Sequence, residues 1–242
     1  MSTLARRVGV VTGAAAGIGL AVAEALAAAG VRLVLCDIDP EAGREAAART
    51  GGTFVVADVS VEIELEQVFA VAEERHGGVD LLVNNAGGRE PPAFPDAPVT
   101  NWTGVLDLNL RAPMLAMQLA IASMRRRGGG AIVNIGSSAG IGLGSHPMPD
   151  YAAAKAGLVR LTGALAPLAG EGIRVSCVCP GMVDTPASRR SRERMSADER
   201  AALPTVIEAA DVAALIVELL ADEGAAGRVL VWESGDEAPR VL

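Results

Sequence analysis

Apolar residues along this chain fall into short runs that alternate with longer, alanine-rich amphipathic stretches. The runs are nearly continuous in Val, Leu and Ile, which is typical of strands buried on both faces. The predicted strands are RVGVV, VRLVLCD, TFVVADV, VDLLVNN, AIVNIGS, IRVSCVCP and RVLVW. Helical patterns cover residues 17–29, 61–75, 101–126, 151–166 and 208–221.

This alternation indicates βαβ units. We therefore predict an α/β fold, a single-domain, doubly wound (Rossmann-type) parallel sheet of about seven strands with helices on both faces. No linker rich in Pro or Ser divides the chain, so residues 1–242 are expected to form one domain. Two polar segments, 88–98 and 181–204, follow predicted strands, where sheets of this kind bind ligands. Residues 139–150 are expected to line the same pocket, with a substrate lid at about 182–204.

Composition and charge exclude several classes of protein. The net charge of −8 argues against a nucleic-acid partner, because phosphate binding requires a basic surface. No uninterrupted apolar stretch is as long as the roughly 18 residues typical of a membrane span, and the first apolar run lacks the long core of a signal peptide. We expect a cytoplasmic protein with neither nucleic-acid nor membrane partners.

The three cysteines, Cys36, Cys177 and Cys179, suit neither a disulfide framework nor a zinc site, since the chain has only two histidines. Cys177 and Cys179 lie in a strand-like run, where alternate residues share one face. We expect buried free thiols and no metal site.

A glycine-rich turn follows the first predicted strand. VVTGAAAGIG places Gly13, Gly17 and Gly19 between a strand and a helix, where the backbone can approach a pyrophosphate at the helix N-terminus. The spacing differs from G-x-G-x-x-G, so the turn serves either phosphate binding or packing alone.

Asp37 closes the second predicted strand. A carboxylate there can bond both ribose hydroxyls of an adenosine and repels a 2′-phosphate. The alternative is that Asp37 and Asp39 only cap the next helix.

The only tyrosine and the only lysine lie four positions apart, in YAAAK (151–155). On a helix these positions share a face, so the Tyr151 phenol and the Lys155 ammonium point into the same space. A free phenol titrates near pH ~10, and a neighbouring cation favours the phenolate. The two residues form either an acid–base device or an exposed, idle pair.

Together these motifs resemble the short-chain dehydrogenase/reductase family from about residue 5 to residue 235. The resemblance rests on the order and spacing of TGAAAGIG (12–19), Asp58 in ADV, NNAG (84–87), Asn109 in LDLNLRAP, Ser138, YAAAK and PGMVDT (180–185). It implies an oxidoreductase that interconverts a secondary alcohol and a ketone by hydride transfer, with NAD as cofactor in view of Asp37. Two alternatives are a ketoreductase acting on an acyl thioester or polyketide, and a non-catalytic NAD-binding regulator. The resemblance also implies a homo-oligomer, either a tetramer or a dimer, and a small-molecule alcohol or ketone as substrate.

The resemblance further assigns roles to single residues. Tyr151 is expected to be the acid–base, Lys155 to hold the nicotinamide ribose, Ser138 to orient the reacting oxygen, and Asn109 to hold a water in the proton relay. If the match to the family pattern were shifted by one residue, Ser137 would take the place of Ser138. The expected cofactor contacts are Gly13, Gly17, Ile18, Gly19, Asp37, Ile38, Asp58, Val59, Asn85, Ala86, Gly87, Tyr151, Lys155, Pro180, Gly181, Val183 and Thr185.

The chain departs from the usual family pattern at Ser176 and at Pro167. It also departs at Ser234–Gly235, a pair that replaces a common double glycine. We expect these changes to affect helix packing and oligomer contacts rather than the catalytic groups.

Five arginines stand in the lid segment of this acidic chain, and they either clamp an anionic substrate or face water. The second is expected, because charge runs are usually solvated, with Glu193, Asp198 and Glu199 as counter-charges. His146, close to Tyr151 in the sequence, is expected to line the substrate pocket. The arginines are Arg189, Arg190, Arg192, Arg194 and Arg200.

Overall fold

The central sheet draws its eight strands from almost the whole length of the chain. The computed structural model describes residues 3–88, 92–201, 203 and 205–242. The strands of this sheet are β1 (Val8–Thr12), β2 (Arg32–Asp37), β3 (Thr53–Val56), β4 (Leu81–Asn84), β5 (Gly130–Ile135), β6 (Ile173–Pro180), β9 (Val229–Trp232) and β10 (Arg240–Val241). Their order is β10-β9-β6-β5-β4-β1-β2-β3, and neighbours are parallel except for β10, which is antiparallel to β9.

Two short parallel strands, β7 (Val183–Asp184) and β8 (Ile207–Glu208), form a separate small sheet. The helices in the described part of the chain are α1 (Gly17–Ala28), α2 (Pro40–Thr50), α3 (Glu62–His76), α4 (Val99–Leu106), α5 (Ala112–Arg127), α6 (Pro149–Ala164), α7 (Pro186–Glu193), α8 (Ala197–Ala201) and α9 (Ala209–Ala221). A π-helical turn, Asp107–Arg111, joins α4 to α5.

Two apolar clusters cover the two faces of the sheet. One packs α1 and α9 against β1, β2 and β5, and the other packs α3, α5 and Leu158 of α6 against the opposite face. The whole of β1, β4 and β5 is buried, which is why these strands read as continuous apolar runs. The predicted doubly wound α/β fold is confirmed, and all seven predicted strands occur.

The periodicity missed helix α2 and the helices α7 and α8. Only Gly43 and Ala46 are buried in α2, so its sequence carries almost no apolar stripe. Its signals are local instead, with Asp39 as N-cap and Pro40 in the first turn.

The departures from the family pattern have local structural explanations. Helix α6 ends at Ala164, and Pro167 lies in the first turn of the short 3₁₀ segment that follows, where a missing N–H costs little. The buried Ser176 hydroxyl donates to the Ile132 carbonyl over 3.4 Å. The Ser234 hydroxyl accepts a 2.6 Å hydrogen bond from the Met182 N–H, which fixes the start of the lid segment.

One helical stretch among the described residues, Val99–Arg127, is long and apolar enough to cross a membrane by length and composition alone. Core helices of soluble proteins pass the same test, and Ala116, Ala120 and Met124 of this stretch are buried against the sheet.

Candidate functional site

The predicted site residues follow the carboxyl ends of six neighbouring parallel strands, β3, β2, β1, β4, β5 and β6. The strand order reverses between β1 and β4, and ligands of doubly wound sheets bind at such a switch point. The glycine turn follows β1 and the NNAG segment follows β4, so the fold brings these two motifs together.

The glycine turn is packed directly on the NNAG segment. Gly13 has φ +63°, and a Cβ atom on it would lie 2.8 Å from Ala86 Cα. The Thr12 hydroxyl accepts 3.0 Å hydrogen bonds from the N–H groups of Asn85 and Ala86. The turn therefore requires glycine at position 13 both for its conformation and for this close approach.

The Asn85 side chain braces the glycine turn. Its amide nitrogen donates to the carbonyls of Thr12 and Gly13, each over 2.9 Å. Helix α1 begins at Gly17 with no side-chain cap at Ala16 and no acidic residue in its first turn, which contains Ile18 and Gly19. The first N–H groups of the helix thus have no acceptor from a capping side chain and no acidic residue beside them in the first turn.

Asp37 links the end of β2 to the glycine turn. Its two carboxylate oxygens accept from the N–H of Ala15 at 3.0 Å and from the N–H of Asp39 at 3.1 Å. Asp39 is the residue that caps α2, accepting from Glu41 and Ala42. The capping alternative therefore applies to Asp39, whereas Asp37 lies beside the glycine turn.

Three other predicted adenosine contacts differ in exposure. Ile38 is 70% exposed beside Asp37, while Val59 is buried. The Asp58 carboxylate accepts from both the N–H and the hydroxyl of Ser60 and so shapes the turn after β3.

Lys155 is buried rather than solvated. It is 3% exposed, and its Nζ donates to the Ile135 carbonyl over 2.8 Å. Nζ lies 5.7 Å from the centroid of the Tyr151 ring. Burial lowers the pKa of Lys155 from 10.5 to about 8. The alternative of an exposed, idle pair is excluded by this burial.

Ser137 caps the short turn in which Ser138 lies. The Ser137 hydroxyl accepts from the Ala139 N–H at 3.2 Å and caps the 3₁₀ turn Ser138–Gly140. A Cβ on Gly140 would lie 2.6 Å from the carbonyl carbon of Lys155, so this turn rests on the backbone of α6. Sequence reasoning missed Gly140, although a glycine two residues after Ser138 was the available signal.

Asn109 lies fully buried in the π-helical turn. Its side-chain oxygen accepts from the Gly88 N–H at 3.1 Å, and its nitrogen donates to the carbonyls of Gly88 and Val105. A Cβ on Gly87 would lie 2.9 Å from Asn109 Oδ1 and 3.2 Å from Lys155 Nζ. Asn109, Gly87 and Lys155 thus meet at one point, and π-turns often occur at functional sites.

Cys177 and Cys179 lie under the same lysine. Both are buried free thiols with their sulfur atoms 3.6 Å apart, on one face of β6 as predicted. The Cys179 hydrogen bond and burial raise the pKa of the Cys177 thiol well above its usual range. The Cys177 thiol therefore stays protonated, while the same hydrogen bond lowers the pKa of the Cys179 thiol.

The lid segment begins beside the glycine turn. Pro180 ends β6 and leads through Gly181 to Val183, which is buried in β7. A Cβ on Gly17 would lie 3.0 Å from Thr185 Cγ2, so the lid segment and the turn touch. Thr185 also caps α7, accepting from the Ser188 N–H at 3.2 Å.

One counter-charge of the lid arginines is Asp184, which is not among the expected ones. Arg189 and Arg192 both pair with Asp184, and these two cations hold the pKa of its carboxyl below the usual range, chiefly through the Arg189 hydrogen bond. Arg190 and Arg194 are exposed, as expected. His146 is half-buried, and its Nδ1 accepts from the Met148 N–H at 3.1 Å just before α6.

Parts of two predicted pocket segments, residues 89–91, 202 and 204, lie outside the described residues. Among the residues that are described, no group of three His, Cys, Asp or Glu side chains could hold a metal ion.

Comparisons with known proteins point to one family. The sequence profile of the family described as short chain dehydrogenase matches residues 7–196. A protein named as ketoacyl reductase 1 of the granaticin polyketide synthase, from Streptomyces violaceoruber, is 37% identical over 93% of this chain and 90% of its own length. A cis-4-hydroxycyclohexanecarboxylate dehydrogenase from Sinomonas cyclohexanicum is 36% identical over 91% of this chain and 96% of its own length.

Solved structures share the fold. The crystal structure of gox2181 superimposes with a TM-score of 0.88 at 29% identity, over 96% of both chains. The chain therefore belongs to the short-chain dehydrogenase/reductase family and is an oxidoreductase that uses a nicotinamide cofactor to interconvert secondary alcohols and ketones.

Proposed function

We propose that this oxidoreductase uses NAD(H), with Tyr151 as the acid–base and Ser138, Lys155 and Asn109 as its catalytic partners. The observation that carries this proposal is the buried Lys155 ammonium, 5.7 Å from the centroid of the Tyr151 ring and close to Gly87 of the NNAG segment and to Asn109. No other arrangement of titratable groups at this edge of the described sheet matches an acid–base pair so directly.

The residues present fit a dinucleotide. The uncapped start of α1 offers backbone N–H groups to a pyrophosphate, and the glycine turn that leads into it is held against the NNAG segment. Asp37, Ile38, Asp58 and Val59 would hold the adenosine. Lys155 and the NNAG segment would hold the nicotinamide ribose, and Val183 with Thr185 the carboxamide.

When bound, the nicotinamide accepts or supplies the hydride. Tyr151 removes the hydroxyl proton of the alcohol, and it returns a proton to the oxygen in the reverse direction. Lys155 stabilises the phenolate, and Ser138 donates a hydrogen bond to the reacting oxygen and orients it. Asn109, whose side chain is fixed by Gly88 and Val105, holds a water that connects Lys155 to solvent.

Asp37 supports NAD(H) over NADP(H). Its carboxylate is fixed by two backbone N–H groups and would lie beside the adenosine ribose. A 2′-phosphate there would meet this negative charge, whereas two ribose hydroxyls would donate to it.

The relatives support two substrate classes. One relative acts on a hydroxycyclohexanecarboxylate, and two are named D-beta-hydroxybutyrate dehydrogenase. The ketoacyl reductase relative supports the second candidate, reduction of an acyl thioester. We further propose that residues 1–242 act as one domain with a lid at about 182–204, in the cytoplasm, as a homo-oligomer.

The test follows reduced-nicotinamide absorbance with NAD⁺ and NADP⁺ across a panel of secondary alcohols at mildly alkaline pH. We expect turnover with NAD⁺, and a loss of about 1,000-fold or more in Tyr151→Phe. Ketones and acyl thioesters with NADH form the second panel. Turnover with NADP⁺ alone would overturn the NAD assignment, and unchanged turnover in Tyr151→Phe would overturn the acid–base assignment.

Asp37→Asn separates the cofactor role from a structural one. We expect the KM for NAD⁺ to rise about 10-fold or more with little change in kcat, because binding is lost equally in the ground and transition states. The matched control is Asp39→Asn, which alters the cap of α2 and leaves that KM within about twofold. Equal effects of the two variants would contradict the role of Asp37.

A further inference from the structure

The lid segment contains a cationic groove of about 670 Å³. We call it the arginine groove. Its walls include Arg189, Arg192, Arg200, Glu193, Leu203 and Val206. Three cations and one carboxylate thus face the same space in a chain whose net charge is −8.

The arginines of the groove are held in place by acceptors behind them. Asp184 binds Arg189 through two hydrogen-bonding nitrogens and takes one further bond from Arg192. Arg200 donates to the main-chain carbonyl of Met195 over 2.7 Å and to that of Arg192 over 3.4 Å. Guanidinium groups fixed in this way lose less side-chain entropy when an anion binds.

Arg192 has unused donor capacity. Its Nε is buried and has no hydrogen-bond partner within the part of the chain that is described. A buried donor on a charged group is costly to leave unpaired. A small movement of Arg192 toward an anion in the groove would give this N–H an acceptor.

The arginine groove lies in the segment that follows the carboxyl end of β6. Its helices are anchored by β7, which follows the end of β6, the strand next to β5 and Ser138. At the same point Thr185 touches the glycine turn through Gly17. Helix α7, which carries Arg189 and Arg192, therefore starts beside the glycine turn.

We propose that the arginine groove binds a carboxylate carried by the substrate, so that the enzyme acts on hydroxy acids and the corresponding keto acids. Arg192 and Arg200 are the specificity-determining residues, while Leu203 and Val206 contact the carbon skeleton. This proposal rests on the proposed alcohol oxidation at Tyr151 and names its substrate class. The planar guanidinium group of an arginine can bind a carboxylate through two parallel hydrogen bonds.

The test compares a series of secondary hydroxy acids, which differ in the spacing of hydroxyl and carboxylate, with the matching primary amides. For the wild type we expect kcat/KM at least about 100-fold higher for the best acid than for its amide. Arg192→Gln and Arg200→Gln should each lower kcat/KM for the acid about 10- to 100-fold and leave the amide within about threefold. Arg190→Gln and Arg194→Gln are the matched controls, because both residues are exposed and outside the groove. These variants should leave kcat/KM unchanged for both the acid and the amide.

A binding measurement separates this proposal from the proposed function. Carboxylic acids without the hydroxyl should raise the melting temperature of the complex with NADH, in the wild type and in Tyr151→Phe, but not in Arg192→Gln. A rise in melting temperature with acids, but no turnover of any alcohol, would support the groove as a carboxylate site and contradict the proposed function. Three results would overturn the proposal that the groove binds a carboxylate. They are equal turnover of acids and amides, no rise in melting temperature with any acid, and the same loss of kcat/KM in Arg190→Gln as in Arg192→Gln.

Discussion

Lys155 and Arg189 are both cations at the carboxyl edge of one sheet, but their environments are opposite. Lys155 is 3% exposed, and burial brings its pKa to about 8. The Arg189 side chain is 61% exposed, and its hydrogen bond to Asp184 raises its pKa further. A buried ammonium near its titration point can take part in proton traffic, whereas a guanidinium keeps its charge and can only hold an anion.

The two regions also differ in how they are built. The platform made by α6 and the turn Ser138–Gly140 depends on backbone contacts, such as the approach of Gly140 to Lys155. The lid segment depends on side-chain ion pairs between α7 and β7. We therefore expect substitutions in the platform to have large and localised effects and those in the lid segment to change stability little.

Of the substitutions that compare the platform with the lid segment, Ser138→Ala should have the largest effect. Loss of a hydrogen bond to the reacting oxygen should lower kcat about 100- to 1,000-fold without changing the melting temperature. Ser137→Ala is the control, because that hydroxyl caps the 3₁₀ turn, and it should reduce kcat only a few-fold. Steady-state kinetics of both variants decide the matter, and a larger loss in Ser137→Ala would contradict the assignment.

The buried lysine should make stability depend on pH. Between about pH 8 and its ordinary pKa of 10.5, Lys155 is neutral in the folded protein and protonated in the unfolded chain, so stability contributed by this group rises with pH. In urea titrations of the free protein, the unfolding free energy of the wild type minus that of Lys155→Met should increase by about 1.4 kcal/mol per pH unit across this interval. The titration of the other groups is common to both proteins and cancels in the difference between their unfolding free energies. A difference that does not change with pH would mean that Lys155 is solvated.

The lid ion pair should have the smallest effect on stability. Arg189→Gln should leave the melting temperature within about 1 °C, because exposed ion pairs contribute little. Arg127→Gln is the contrasting variant, since the side chain of its partner Asp80 is 3% exposed and would lose its bidentate bonds. It should lower the melting temperature by several degrees. Equal melting temperatures for the two variants would remove the distinction between buried and exposed pairs.

Much of the fold and the catalytic motif could be predicted because both depend on short-range patterns. The buried strands show as apolar runs, and an i,i+4 spacing on α6 is enough to bring Tyr151 and Lys155 onto one face. The burial of Lys155 could not be predicted, because it results from α6 packing on β5 and β6, which are distant in sequence.

The less predictable features are long-range contacts between loops. The Asn85 hydrogen bonds to the glycine turn and the Met182–Ser234 bond join segments far apart in sequence. The lid segment lacks a repeating apolar pattern, so its helices and the role of Asp184 were missed. Charge composition alone did not distinguish solvated arginines from arginines facing a groove.

The most direct test of the central claim uses the fact that Tyr151 is the only tyrosine in the chain. The ultraviolet absorbance of tyrosinate therefore reports one residue, and it can be followed against pH in the NAD⁺ complex of the wild type and of Lys155→Met. If Lys155 and Tyr151 form the acid–base pair, tyrosinate should form at lower pH in the wild type than in the variant. Coinciding titration curves would show that Lys155 does not act on the phenol, and would contradict the proposed mechanism.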